Sequence, residues 1–183
     1  EITPANVASL QLKWVFPMGY AGLEVTPLAA DGVLYVTGPN QVMALDVVTG
    51  AALWTYSRPP SPGLVGDSRL GTNRGVALRR DLVYFVTDNA HLLALDRATG
   101  ILRWETRMAP DAGSEPPHHY GGTVAPLVVH DTVVAGVSGA DAGMRGFVAA
   151  FHAETGALVW RRWTVPRKGE PGIETWQGSE PIR

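Results

Sequence analysis

One eleven-residue pattern recurs three times in this chain and constrains its fold more than any other feature. It reads "ALDVVTGAALW" from Ala44, "ALDRATGILRW" from Ala94 and "AFHAETGALVW" from Ala150, so the copies are 50 and 56 residues apart. Repeats of about this length are typical of β-propellers, in which each unit is a small antiparallel sheet. The sequence therefore predicts an all-β propeller fold.

Each unit contains four short runs of β-branched, aromatic and other apolar residues, bounded by Gly, Asp and Asn. Such runs predict antiparallel strands, which we name A to D in chain order within each unit. We expect about three four-stranded blades, at approximately residues 24–58, 73–107 and 122–165. Residues 1–20 are expected to form the closing segment of another blade.

The repeated pattern itself predicts a hairpin turn between strands C and D. In the first copy Asp46 can accept hydrogen bonds from backbone amides of the turn, and Gly50 can adopt a positive φ. A tryptophan then stands at the same point of strand D in every unit, where its ring can pack against the neighbouring blade. We interpret these tryptophans as core residues: Trp54, Trp104 and Trp160.

Composition excludes several classes of function. The 183 residues carry a formal net charge of −2, which does not favour binding to nucleic acid. Cysteine is absent, so disulfides and thiolate metal sites are excluded. No apolar run approaches the roughly 20 residues of a membrane span. Helix signals are scarce, and the one helical turn that we expect has Thr3 capping Pro4.

The third unit differs from the other two in one connection. From strand B to strand C, Val33 and Ala44 are 11 positions apart, as are Val83 and Ala94, whereas Val133 and Ala150 are 17 apart. The six extra residues lie in the loop between strands B and C, "SGADAGMRG". A long glycine-rich loop on a rigid scaffold is a frequent place for function.

Antiparallel strand order places the B–C loops and the starts of the A strands on one face. Just ahead of the three A strands stand Glu24, Arg74 and Thr123. One polar residue per blade therefore approaches the long loop, which predicts a polar pocket. Structural alternatives exist: Arg74 and Arg145 could tie loops together, and Glu24 could serve only as a partner of Arg74. Ser138 and Thr123 could serve only to close turns.

The pattern A-x-D-x-x-T-G-x-x-x-W resembles the tryptophan-docking signature of the quinoprotein alcohol dehydrogenases. That family uses pyrroloquinoline quinone (PQQ) and folds as eight-bladed propellers. The likeness extends to "ITPANVASLQLKW" near the start, to "NRGVAL" and to "SGADAGMRGFVAAFHAETGALVWRRWTVP". The resemblance implies PQQ contacts at Glu24, Arg74, Thr123, Ser138, Gly139 and Ala140, and a ligand of Ca²⁺ or a lanthanide ion at Asp141.

Two features depart from the family's pattern. The family's usual metal ligand is Glu, and Asp141 is shorter by one methylene, about 1.5 Å of reach. Calcium tolerates varied oxygen geometry, so an aspartate can still serve. Many relatives also carry a vicinal disulfide against the quinone just before the Asn-Arg-Gly motif. This chain has no cysteine there, so other residues must form that wall.

The resemblance implies a parent enzyme that oxidises an alcohol with a metal-bound quinone and passes electrons to a cytochrome c in the periplasm. It also implies that the catalytic base, further cofactor contacts and the remainder of the propeller lie beyond Arg183. We therefore expect no catalytic residue in this segment and no activity from it alone. The alternative is a non-catalytic propeller that acts as a protein-interaction scaffold. That alternative predicts short B–C loops in every blade and no convergent Glu, Arg and Thr.

Overall fold

Three four-stranded antiparallel sheets make up most of the computed structural model, which describes residues 2–20, 23–64, 66–110, 120–140 and 143–176. We refer to the sheets as blade 1 (β1–β4), blade 2 (β5–β8) and blade 3 (β9–β12); within each, the strands lie side by side in chain order. The strands are β1 (Leu28–Ala30), β2 (Val33–Gly38), β3 (Gln41–Asp46), β4 (Ala52–Ser57), β5 (Ala77–Arg79), β6 (Leu82–Val86), β7 (His91–Asp96), β8 (Leu102–Arg107), β9 (Leu127–Val129), β10 (Thr132–Gly136), β11 (Phe147–His152) and β12 (Leu158–Trp163). The predicted all-β fold of stacked four-stranded units is confirmed.

The middle strands of blade 2 are buried on both faces, because successive apolar side chains pack alternately against blade 1 and blade 3. In β6, Val83 and Phe85 lie in the core shared with blade 1, whereas Tyr84 and Val86 lie in the core shared with blade 3. Successive residues of a strand point to opposite faces, so an uninterrupted apolar run is required at this position. The outermost strand β8 instead alternates exposed and half-buried residues.

The helical content is small, and the position of the first helical turn differs from the prediction. A 3₁₀-helix spans Val7–Ser9, and its N-cap residue is Asn6 rather than Thr3. The Asn6 side chain instead turns back and accepts the Thr3 backbone N–H at 2.7 Å. The described ranges also include the short helix α1 (Gly66–Arg69) and a 3₁₀-turn at Ile173–Thr175. None of the helices in the described ranges is long and apolar enough to cross a bilayer.

The hairpin turn between strands C and D forms as predicted. Oδ1 of Asp46 accepts the backbone N–H groups of Val48 at 3.0 Å and Thr49 at 2.7 Å, and Gly50 has a φ of 73°. These hydrogen bonds hold the pKa of Asp46 below its ordinary value, with the Thr49 amide making the largest contribution. The turn is therefore stabilised by contacts among its own residues, in addition to the packing of the neighbouring tryptophan.

A tryptophan from one blade seals each junction with the next. Nε1 of Trp54 donates to the carbonyl of Arg97 at 3.0 Å, and its ring covers Gly100, where a Cβ would lie 2.6 Å from the ring. The same pair of contacts is made by Trp104 with Ala153 and Gly156, and by Trp14 with Val47 and Gly50. Each turn glycine is thus required twice, for its positive φ and for the space that the ring occupies.

Substitution of two glycines can distinguish the need for a positive φ from the need for space beside the tryptophan ring. Gly100 and Gly32 have similar φ values of 73° and 77°, but nothing lies within 4 Å of a Cβ built on Gly32. Gly32→Ala should cost only the backbone strain, about 1–2 kcal/mol, whereas Gly100→Ala should lose about 1–3 kcal/mol more because it displaces Trp54. Urea unfolding measures both, and equal losses would contradict the sealing role of the ring.

Candidate functional site

The residues just ahead of the three innermost strands are joined directly to one another. Nη2 of Arg74 donates to Oε2 of Glu24 at 2.8 Å. The Arg74 backbone N–H donates to the Thr123 carbonyl at 3.1 Å, and Thr26 N–H donates to the Arg74 carbonyl at 3.2 Å. The structure therefore brings Glu24, Arg74 and Thr123 together on the face where the antiparallel strand order predicts them.

The Asn-Arg-Gly run shapes the backbone that presents Arg74. Asn73 is buried, and its side chain donates to the Val86 carbonyl at 2.9 Å and accepts the Gly75 N–H at 3.0 Å. Gly75 has a φ of 125°, and a Cβ there would lie 2.9 Å from the Thr26 carbonyl. The two neighbours of Arg74 thus fix the main chain, and the guanidinium is left to interact across blades.

The Arg74–Glu24 pair is accessible to solvent. The side chains retain 43% and 50% of their exposure, so this pair contributes little to stability. Nη1 of Arg74 also lies 3.4 Å from the Thr123 carbonyl. Thr123 itself is buried. Glu24 does pair with Arg74, as one of the two interpretations predicts, and the remaining guanidinium donors can still bind an anion.

Ser138 joins this cluster through a backbone bridge. Its N–H donates to the Gly121 carbonyl at 2.8 Å, and the Gly121 N–H donates back at 3.1 Å, two residues before Thr123. The Ser138 Oγ is buried and has no hydrogen-bond partner among the described residues. A buried hydroxyl without a partner is costly, so this atom points to a ligand. The next residue, Gly139, has a φ of 118°.

The rest of the long loop is only partly described. Gly139 and Ala140 accept the N–H groups of Met144 and Gly143, each at 3.0 Å, which closes the loop on itself. Asp141 lies outside the described residues, so its predicted role as a metal ligand stays a prediction. Within the described ranges no three His, Asp or Glu side chains gather as a metal site.

Arg145 anchors the long loop to the segment that follows blade 3. Its side chain is only 7% exposed, Nε donates to the Val165 carbonyl at 2.7 Å, and Nη2 pairs with Glu170. The guanidinium also lies over the ring of Trp163, 4.4 Å from the centroid. The prediction that Arg145 ties loops together is confirmed.

Glu170 is held ionised by the same arrangement. The backbone N–H of Arg167 donates to its Oε2 at 2.8 Å. That hydrogen bond is the main cause that lowers the pKa of Glu170, and the Arg145 guanidinium lowers it further. The anchor of the loop is therefore an ion pair at neutral pH.

Sequence reasoning missed a buried polar junction that holds the same face. The carboxylate of Asp88 accepts the N–H and hydroxyl of Ser61 at 2.8 and 2.7 Å. Its backbone N–H donates to the Asn40 side chain at 2.9 Å, and its carbonyl accepts the Gly122 N–H at 3.0 Å. Polar residues in the short B–C turns were the available signal, but nothing in the sequence identifies their partners.

Comparisons of the sequence and of the structure with known proteins point to the same family. A family model described as "PQQ: Glucose/ethanol/alcohol dehydrogenase, beta-propeller domain" matches residues 1–182. The chain is 38% identical to the quinohemoprotein alcohol dehydrogenase ADH IIB of Pseudomonas putida over 98% of its length. It is 36% identical to the 1-butanol dehydrogenase (cytochrome c) of Thauera butanivorans over 94%. A europium-containing methanol dehydrogenase superimposes on 93% of the chain with a TM-score of 0.75 and 30% identity.

The matched regions are small parts of these proteins. The chain spans 27% of the Pseudomonas enzyme, 24% of the Thauera enzyme and 30% of the europium-containing structure. The likeness thus concerns roughly a quarter of each relative's length.

The loop anchor should respond to pH. A carboxylate whose pKa is lowered on folding stabilises the folded state above its ordinary pKa of 4.5, and this contribution disappears as the pH falls through the lowered value. The stability difference between the wild type and Glu170→Gln should therefore be constant at neutral pH and shrink in acid. Unfolding free energies from pH 7 to pH 3 measure it.

An Arg145→Gln background provides the control, because the pair is already broken there. The pH-dependent part of the difference should shrink in that background but not vanish, because the Arg167 amide, the larger cause of the lowered pKa, still donates to Glu170. An undiminished pH dependence would contradict the assignment to the Arg145–Glu170 pair.

Proposed function

Since the chain belongs to the PQQ-dependent glucose, ethanol and alcohol dehydrogenase propeller family, we propose that its joined polar cluster binds the quinone of an enzyme that oxidises an alcohol. One observation carries this proposal. Arg74 contacts both Glu24 and Thr123, which come from two other connections, and beside them Ser138 presents a buried hydroxyl that has no hydrogen-bond partner in the part of the chain that the structure describes.

The side chains present fit a flat tricarboxylate such as PQQ. Arg74 offers a planar fork for a carboxylate, and the Ser138 hydroxyl can donate to a further oxygen. Gly139 has a backbone conformation that side chains rarely adopt, and with Ala140 beside it the loop can approach a planar ring closely. Glu24 orients Arg74 through their ion pair, and the carbonyl of the buried Thr123 lies 3.4 Å from Nη1 of Arg74.

We propose Asp141 as the metal-binding carboxylate of the site, because it stands in the loop that carries Ser138, Gly139 and Ala140. Carboxylate oxygens suit both Ca²⁺ and a lanthanide ion. The europium-containing relative supports a metal in this family. With Asp141 holding the cation and Arg74 and Ser138 holding the quinone, the cation would supply Lewis-acid polarisation and the quinone would supply an acceptor for the hydride of the alcohol.

This chain's share of catalysis is binding and orientation. The general base that takes the alcohol proton is proposed to come from outside residues 1–183, as are further cofactor contacts. We therefore expect residues 1–183 alone to bind PQQ weakly and to be inactive. A cytochrome c is the proposed electron acceptor, since the Thauera relative is a 1-butanol dehydrogenase (cytochrome c), and the proposed location is the periplasm.

The remainder of a propeller is the proposed partner of the outer face of blade 3. Trp160 lies opposite Ala150 on β12, the register position that Trp54 and Trp104 occupy opposite Ala44 and Ala94. Those two rings are covered by the next turn, whereas Trp160 keeps 42% of its exposure. A further blade whose turn glycine covers Trp160 would complete the series.

Substitution of Arg74 tests the cofactor site. In the complete protein, Arg74→Gln should raise the Kd for PQQ about tenfold or more, because a charge-assisted contact to a carboxylate is lost. Quenching of tryptophan fluorescence by PQQ in the presence of Ca²⁺ measures the Kd. Arg80→Gln is the matched control, since Arg80 is an exposed guanidinium in the A–B turn at the opposite end of the blade. Equal affinities for the two variants would refute the proposed site.

Substitution of Trp160 tests the proposed partner surface. If a further blade covers it in the complete protein, Trp160→Ala should lower the unfolding free energy by about 3–5 kcal/mol, as Trp104→Ala should. An exposed tryptophan would cost less than about 0.5 kcal/mol. Urea unfolding of the two variants decides, and a loss confined to Trp104→Ala would sink the proposal.

A further inference from the structure

A short run that begins at Tyr120 contacts both ends of the long loop of blade 3. The Tyr120 hydroxyl donates to the carbonyl of Arg145, where the loop ends, at 3.0 Å. The next residue, Gly121, exchanges backbone hydrogen bonds of 2.8 and 3.1 Å with Ser138, where the loop begins. Two consecutive residues therefore hold the loop at its two ends.

The same run is joined to the arginine of the polar cluster and to blade 2. The carbonyl of Thr123 accepts the Arg74 backbone N–H at 3.1 Å, and the Gly122 N–H donates to the Asp88 carbonyl at 3.0 Å. The run thus connects two parts of the proposed cofactor site, Arg74 and the loop that begins at Ser138. Its contacts set the position of the loop relative to Arg74.

The Tyr120 side chain is itself fixed by packing. Its ring meets the buried ring of Phe147 edge-on, with centroids 5.4 Å apart, and Phe147 meets Trp163 in the same way at 5.5 Å. Burial raises the pKa of the Tyr120 hydroxyl, so the hydroxyl remains protonated and can donate at neutral pH. Because the ring is already ordered, its hydrogen bond restrains the loop at little further cost in side-chain entropy.

The two contacts of Arg145 connect the loop to different neighbours. The guanidinium binds the segment that follows blade 3, through the Val165 carbonyl and Glu170. The backbone carbonyl binds Tyr120, on the side where Arg74 lies. The hydroxyl of Tyr120 therefore ties the end of the loop to the polar cluster, which the guanidinium of Arg145 does not do.

We propose that Tyr120 is a positioning residue, whose hydroxyl fixes the end of the long loop so that Gly139 and Ala140 stand ready for the quinone before it binds. This inference rests on the proposed function. When only a fraction of the protein has the loop in its binding conformation, the apparent Kd rises in inverse proportion to that fraction. Loss of the hydroxyl should therefore weaken PQQ binding through the loop rather than through a contact of Tyr120 with PQQ.

The variant Tyr120→Phe tests this inference in the complete protein, because it removes the hydroxyl and keeps the ring contact with Phe147. It should raise the Kd for PQQ about two- to fivefold, which corresponds to one neutral hydrogen bond. Quenching of tryptophan fluorescence with Ca²⁺ present measures the Kd.

A matched control is Tyr84→Phe. The Tyr84 hydroxyl donates to the Ala153 carbonyl at 3.2 Å, so this variant also removes a tyrosine hydrogen bond to blade 3, but at the C–D turn on the opposite face. It should leave the Kd for PQQ unchanged.

Hydrogen exchange in the PQQ-free protein provides a second measurement. The N–H groups of Gly143 and Met144 close the loop on the carbonyls of Ala140 and Gly139, within two residues of Arg145. They should exchange about two- to fivefold faster in Tyr120→Phe than in the wild type, because local opening becomes easier. In Tyr84→Phe they should exchange at the wild-type rate.

A purely structural role for Tyr120 predicts a different result. Both variants would then lower the thermal stability and both would leave the Kd for PQQ at the wild-type value, which would overturn the inference. An equal rise of the Kd in the two variants would overturn it as well. A wild-type protein that binds no PQQ at saturating Ca²⁺ would refute the proposed function itself, whereas wild-type binding with an unaffected Tyr120→Phe variant would refute this inference alone.

Discussion

The contact of a tryptophan ring with the turn glycine of the next blade is the interaction on which the rest of the structure depends. It joins a local requirement to a long-range one, since Gly100 must adopt a positive φ and must also leave space for Trp54. The indole N–H also donates to the carbonyl of Arg97 in that turn, which gives a backbone acceptor a hydrogen-bond partner. Repetition of this contact sets the spacing of the blades.

Because these contacts lie at the C–D turns, the opposite face is free to differ between blades. The B–C connections of blades 1 and 2 are short, whereas blade 3 carries the loop at 137–146. A loop of this length loses conformational entropy when it is ordered. Arg145 compensates with hydrogen bonds, an ion pair and a stacking contact from one buried side chain. The repeated framework and the variable loop are therefore stabilised by different means.

The strands could be predicted from the sequence because their signal is local: "HLLALD" is β7, His91–Asp96, without adjustment. The face on which Glu24 and Arg74 meet followed from strand order alone. The partners of Asp88 did not, because Ser61, Asn40 and Gly122 belong to connections of other blades, whose approach depends on how the blades pack. The first 3₁₀-helix begins at Val7, three residues later than expected, with Asn6 rather than Thr3 as its N-cap residue, and the Asn6 side chain accepts the Thr3 N–H.

The charge balance of the polar cluster explains how one arginine can pair with Glu24 and still serve a ligand. Arg74 carries five N–H donors, of which contacts to Glu24 and to the Thr123 carbonyl occupy only part. A tricarboxylate placed beside Glu24 would, however, bring more negative charge to the cluster than one guanidinium neutralises. Burial beneath further blades would strengthen that repulsion, since charges interact more strongly at low dielectric. A di- or trivalent cation on the neighbouring loop would offset it, so the proposed anion and the proposed metal would each make the other's site more favourable.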